Sequence, residues 1–185
     1  MATRFHRSRR GVVVTFHPDE APILRNLISQ LTDLVGEVGE GPREPDSPGE
    51  DPLAAMVGIG TSTAPPDDPA LARLFPDAYP DDPERAGDFR RFTEQSLAAR
   101  KADAAGIALA TMESPGQRRT LSTQEAHAWL TVLTDLRLVL GTRLEVSEDW
   151  DEQYALLADD DPRRAGCEAY NWLSFLQESL VHALW

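Results

Sequence analysis

The apolar positions of the chain fall into blocks of different period. GVVVTF (Gly11 to Phe16) is a short β-branched run, and the RFHR before it can fold back on it across SRRG as a hairpin. A lone hairpin is marginal in water, so its apolar face must lie on helices. Pro18 reads as the first residue of the next helix, with His17 at the cap and Glu20 at N3, where a carboxylate meets the positive helix end. Leu24, Leu27, Ile28, Leu31, Leu34 and Val35 then recur at helical spacing as one core-facing stripe. The clearest helix starts further on, where Ser122 and Glu125 make a capping-box pattern. Ala126, Trp129, Leu130, Leu133, Leu136, Leu140 and Leu144 share one broad face of it, and Gly141 either ends it or permits close packing. Ser147 is the expected cap of a helix carrying Trp150, Tyr154 and Leu157. After DDDPRRAG the last helix bears Tyr170, Leu173, Phe175, Leu176, Leu180, Val181 and Leu184.

Between these blocks the pattern weakens. Residues 36–69 are rich in Gly, Pro and acid and poor in large apolar groups, so a flexible insertion is expected there, with one helical turn in PLAAMVGIG. Leu71, Leu74 and Phe75 fit a short helix that stops near Pro76. Asp82 and Pro83 fit the start of another, to which Phe89, Phe92, Leu97 and Ile107 would bring bulky core groups, and SPGQRRT reads as a surface loop. The expected fold is therefore mainly α: one compact helical domain over residues 1–185 with a short N-terminal β-hairpin and a long insertion. With 185 residues and 41% apolar side chains, a single core is well supplied.

Charge narrows the functional classes. The net charge is −13, and the first ten residues hold Arg4, Arg7, Arg9 and Arg10 with no acid, leaving −17 for the rest once those four are taken from the total. A body of that sign repels phosphate backbones, which disfavours direct nucleic-acid binding. The basic arm is either a solvated terminus or a contact for an acidic surface. No apolar stretch is long enough to span a bilayer and none follows MATRFHRSRRG as a secretory leader would, so no membrane association and a cytoplasmic location are expected.

Candidate chemistry is sparse. His6, His17, His127 and His182 lack metal-ligand spacing, the paired and triple aspartates sit where capping explains them, and neither GEVGEGP nor GIG has the setting of a nucleotide-binding loop. No catalytic residue, metal or cofactor is expected. Cys167, the single cysteine, excludes an intrachain disulfide; its place early in the last helix beside Arg163 and Arg164 suits either a reactive thiolate or an ordinary buried thiol. The last helix is apolar on two sides, broadened by Trp172 and Trp185, as befits either a central element or one covered by a partner or a second copy in a homodimer.

RLFPDAYPDDPERAGDFRRFTE (Arg73 to Glu94), DLRLVLGTRLEV (Asp135 to Val146), YNWLSFLQESLVHAL (Tyr170 to Leu184) and the opening RSRRGVVVTFHPDEAPILRNLISQL together resemble an actinobacterial family named for the oxidative-stress transcriptional regulator AosR. The resemblance implies a noncatalytic cytoplasmic protein that contacts an extracytoplasmic-function sigma factor. It also implies a genomic association with a Clp adaptor and cysteine synthesis, so an adaptor role in Clp-dependent turnover is the alternative and a direct DNA binder the third reading. Redox sensing by a cysteine pair, attributed to the studied regulator, cannot carry over to a chain whose one thiol is Cys167. Arg90, Arg91, Arg137 and Arg143 lie in the resembling segments and are candidates either for anchoring acids on a partner or for pairing with Asp88 and Asp135 inside the fold. Tyr79 is available for packing or contact.

Overall fold

The computed structural model describes residues 3–39 and 63–185. Strands β1 (Phe5–Ser8) and β2 (Gly11–Thr15) form the expected hairpin. Helix α1 (Ala21–Gly39) follows, then α2 (Pro69–Leu74) and α3 (Pro83–Ala110). A third strand, β3 (Arg118–Leu121), leads into α4 (Thr123–Arg143), and the short α5 (Trp150–Ala155) precedes the terminal α6 (Arg164–Leu184). The chain is mainly α, as its periodicity indicates.

The hairpin is wider than expected. Residues read as a surface loop supply β3, and the antiparallel order is β1-β2-β3, with Val12 opposite Leu121 and Val14 opposite Arg119. Arg-Arg-Thr-Leu carries no apolar alternation, so only the free edge of β2 recruits it as a strand. At the other end of the hairpin Gly11 has φ +119, a conformation L side chains rarely adopt, and it lies against the Leu121 carbonyl.

Phe5, Phe16 and Trp129 lock the sheet to the helices. The Trp129 ring stacks on Phe16 at 5.1 Å and tilts against Phe5 at 5.6 Å, while its indole N–H donates to Thr111 Oγ1 at 2.8 Å. All three rings are fully buried. Around them pack Leu24, Ile28, Leu31 and Val35 of α1, Leu133 and Leu136 of α4, and Leu173, Leu176 and Leu180 of α6. The α1 stripe therefore has its expected role, with Leu27 and Leu34 at its margin. The helix begins later than Pro18 suggested. Residues 18–20 form a turn whose next amide, Ala21 N–H, donates to the His17 carbonyl, and the Glu20 carboxylate accepts from the Thr3 amide instead of capping α1. Helix α1 also runs on to Gly39, and α2 begins at Pro69, so both ends of the expected insertion are helical. Residues 40–62, including PLAAMVGIG, lie outside the described residues.

Helix α3 departs most from expectation. Asp82 caps it as read, accepting from the Arg85 amide with Pro83 at the first turn. Phe89 and Phe92, however, are 46% and 60% exposed, and the buried face is made of Ala86, Ala98, Ala104, Ala105 and Ala108 with Arg90 and Glu94 among them. Small residues let α1 and α4 approach closely, and the room left is filled by charge. Arg90 donates to Glu94 at 2.7 Å, to Asp77 and to the Phe75 carbonyl. About two helical turns beyond Glu94, Lys101 donates to the buried Asp135 of α4 at 2.7 Å. Burial pushes the Asp135 carboxyl above its ordinary range, and Lys101 opposes that rise.

Helix α4 is capped as read: Ser122 Oγ accepts from the Glu125 amide and the Glu125 carboxylate from the Ser122 amide. Gly141 is a packing residue, since a side chain there would meet the Tyr170 ring. The helix ends instead at Glu145, in the left-handed region at φ 54, where Val146 N–H bonds back to the Gly141 carbonyl and Glu145 N–H to that of Thr142. Ser147 does not cap α5 through its side chain; its hydroxyl accepts from Gln153.

Two measurements test this core. Trp129→Ala should lower stability by about 3–5 kcal/mol, read as a fall in the urea midpoint, because it empties the site where sheet and helices meet. Lys101→Met should cost about 3–5 kcal/mol at neutral pH by stranding the buried Asp135 carboxylate. A carboxyl whose pKa is raised in the fold binds its proton more tightly there than in the unfolded chain, so the penalty should shrink as pH falls and grow as pH rises through the folded value.

Candidate interaction surfaces

Of the candidate arginines Arg90, Arg91, Arg137 and Arg143, Arg90 is buried, Arg91 and Arg137 are half-buried and Arg143 is exposed. Arg90 is 5% exposed, and its two terminal nitrogens are engaged with Asp77, Glu94 and the Phe75 carbonyl, not with Asp88, while its buried Nε has no partner among the described residues. Asp135, the other expected acid, takes Lys101 as its partner. Arg137 reaches from α4 to α6, where its guanidinium donates to Ser174 at 2.9 Å, to Gln177 and to the Tyr170 hydroxyl, and lies 5.4 Å from the Tyr170 ring centre. Arg143 pairs with Asp68 at the start of α2. Arg91 is half-buried on α3. The segments that carry the resemblance thus bond to one another: FPDAYPDD and RRFTE meet at Asp77–Arg90, and DLRL meets YNWLSFLQ at Arg137. A guanidinium looks the same in sequence whether it serves a partner or a buried network, so spacing alone does not separate the two roles.

Cys167 is 3% exposed on the first turns of α6. Its amide already donates to the Arg163 carbonyl, so the free backbone donors expected at a helix start are not at the thiol. The neighbouring arginines are taken by carboxylates: Arg163 by Asp161, which it holds down at about 2, and Arg164 by Asp159 and Glu168 at 3.5 Å. The thiol forms part of the wall of an open 360 Å³ groove between α5 and α6, with Leu144, Trp150, Tyr154 and Leu157. Trp150 is held in that wall by Asn171, which accepts its indole N–H at 2.9 Å, and by an edge contact with Tyr170. Gln153 and Arg163 complete the lining, so the groove mixes aromatic and aliphatic surface with polar groups.

Two surfaces combine exposed rings with cations. On α3 Phe89 meets Tyr79 edge-on at 6.0 Å, Arg85 lies over the Tyr79 ring at 4.4 Å, and Phe92 stands one turn further along. Neither Phe89 nor Phe92 was expected at a surface; their bulk made them read as core. The second surface lies where the hairpin meets the end of α6. Arg7 donates to the Trp185 carbonyl at 2.9 Å and Arg4 approaches the Phe175 ring at 5.8 Å. Arg9 and Arg10 occupy the hairpin turn, Trp185 is 84% exposed at the end of α6, and Phe175 is exposed ten residues earlier on the same helix. Trp172 sits apart from both surfaces, packed against the core. Among the described residues no cluster of His, Cys, Asp and Glu is arranged to hold a metal ion, and no helix is long and apolar enough to cross a membrane.

Comparison with known proteins places this architecture. Residues 2–184 match the family described as a domain of unknown function, DUF2017. The chain is 34% identical to the oxidative stress regulator AosR of Mycobacterium tuberculosis (strain H37Rv) and to that of Mycobacterium bovis, over 181 residues that cover 90% of this chain and 79% of either relative. It is 33% identical, with the same coverage, to the putative oxidative stress regulator AosR of Mycobacterium leprae. No solved structure gives a significant match. The chain belongs to the DUF2017 family, together with the mycobacterial AosR proteins.

Proposed function

We propose that the protein is a noncatalytic regulator of the response to oxidative stress, acting in the cytoplasm by contact with an extracytoplasmic-function sigma factor. The observation that carries this reading is the 34% identity, over nearly the whole chain, to proteins named as oxidative stress regulators. The surface chemistry supports contact with protein: exposed aromatic rings beside arginines are the residue types that anchor protein interfaces. The charge supports the same division of labour. A chain of net charge −13 leaves DNA recognition to its partner and influences promoter use by stabilising the partner's assembly.

Redox control through Cys167 is not part of the proposal. A thiol reacts as the exposed thiolate, and this one is buried beside arginines already neutralised by carboxylates. Quantitative pull-down from the native cytosol, under reducing and mildly oxidising conditions, should enrich one sigma factor to the same degree with wild type and Cys167→Ser. Absence of a sigma factor from every sample would end this reading, whereas enrichment confined to oxidised wild type would return the thiol to the mechanism.

A further inference from the structure

The hairpin, the start of α4 and the end of α6 enclose an open cleft of 540 Å³. Arg7 and Arg9 border it on one side, Ser122 and His127 on another, and Leu184 and Trp185 on the third. No Asp or Glu side chain among the described residues lines it. We propose that this cleft is a docking site for a short acidic segment of a partner protein, one that carries a large apolar side chain between its acids. The proposal rests on the reading of the protein as a regulator that works by contact, and it names the surface used.

Three features support this occupant. The first is charge. Four arginines precede residue 11 without a single acid, on a body that carries the remaining −17, so the cleft lies within a local positive field on an otherwise negative molecule. Among the described residues Arg9 and Arg10 on the turn form no ion pair, unlike Arg90 and Arg143, and Arg137 is taken up by side chains of α6, so the turn guanidinium groups are available to carboxylates. The second is apolar surface. Trp185 is 84% exposed and Leu184 half-buried beside it, so an incoming apolar side chain can cover them; Val12, Leu121 and Ala126, themselves buried, line the cleft behind. The third is local rigidity. The Arg7 guanidinium ties the hairpin to the Trp185 carbonyl, and the Phe5 amide donates to Ser179 of α6 at 3.2 Å, so the two sides are held together before anything binds.

The same features count against other polyanions. A duplex or a membrane would bring an extended anionic surface against the acidic body, whereas a short peptide engages the cleft alone. A second copy docking by the same patch would set arginines against arginines, since a two-fold interface brings like surface to like.

The test uses purified full-length protein and fluorescein-labelled peptides of Glu and Asp around a central Phe, Leu or Trp, with binding read by anisotropy at low salt. Wild type should bind at least one of the three. Arg9→Glu with Arg10→Glu, exposed turn positions, should weaken that binding by about tenfold or more, and so should Trp185→Ala. Tryptophan emission should shift to the blue when peptide binds wild type, and that shift should vanish in Trp185→Ala. Peptides with Lys in place of the acids should not bind. The proposal is overturned if no acidic peptide binds, if the variants bind as wild type does, or if single-stranded DNA or vesicles containing anionic lipid bind better than the peptides. Self-association of the free protein that the Arg9→Glu, Arg10→Glu variant abolishes would also overturn it, by giving the cleft to a second copy. Because these components are defined, failure here leaves the sigma-factor pull-down to decide the regulator reading separately.

Discussion

The fold depends on one buried meeting of rings. A small three-stranded sheet cannot bury its own apolar face, and α4 and α6 cannot close over it unless something fills the wedge between them. Trp129 fills it, stacked on Phe16 and tilted against Phe5, with its one polar atom given to Thr111. That hydrogen bond fixes more than the indole. Thr111 sits at the C-cap of α3, so the same contact locates the end of the longest helix relative to the sheet. The strand that follows, β3, must then leave α3 in the one direction that reaches β2.

Charge does inside the bundle what apolar packing does elsewhere. Buried Arg90 and Glu94 pair with each other and Arg90 also with the partly exposed Asp77, and Lys101 pairs with buried Asp135; removing Arg90 or Lys101 leaves a buried carboxylate uncompensated in a poor solvent. Apolar side chains of similar volume could supply equal stability without specifying register. The paired ions join α3 to the loop before it at Asp77 and to α4 at Asp135, and so favour one alignment of these elements. Arg137, bridging α4 to three side chains of α6, extends the same logic to the terminal helix.

Much of this architecture was legible from sequence, for identifiable reasons. The α1 stripe, the Ser122 capping box and the Asp82–Pro83 start each depend on local spacing or backbone chemistry, which the chain states directly. Strand β3 depends on a long-range partner, and nothing within Arg-Arg-Thr-Leu announces one. The exposed Phe89 and Phe92 and the buried Arg90 and Glu94 fail for the same physical cause. Hydropathy assigns a face by side-chain type, whereas α3 chooses its face by what fits against α1 and α4, namely alanines and a closed ion network. For the candidate contacts, sequence could name arginines but not their partners. Arg90 and Arg137 turned out to be occupied internally, while the turn residues Arg9 and Arg10 kept their charge at the surface.

This distribution of arginines bears on how an acidic protein can be selective. The long-range field of the body is negative, so anionic partners are slowed in general encounter and only those that present their acids to the hairpin meet a favourable potential. Arg90, buried against Glu94 and Asp77, and Arg137, held by side chains of α6, are not available as competing anchors on the surface. An exposed indole next to the remaining cations then adds a requirement for apolar area, which charge alone does not impose. A segment must satisfy both conditions in one small cleft. The same residue type therefore serves two ends: Arg90 and Arg137 are used inside the fold to join its elements, while Arg9 and Arg10 stay at the turn, where a partner can reach them.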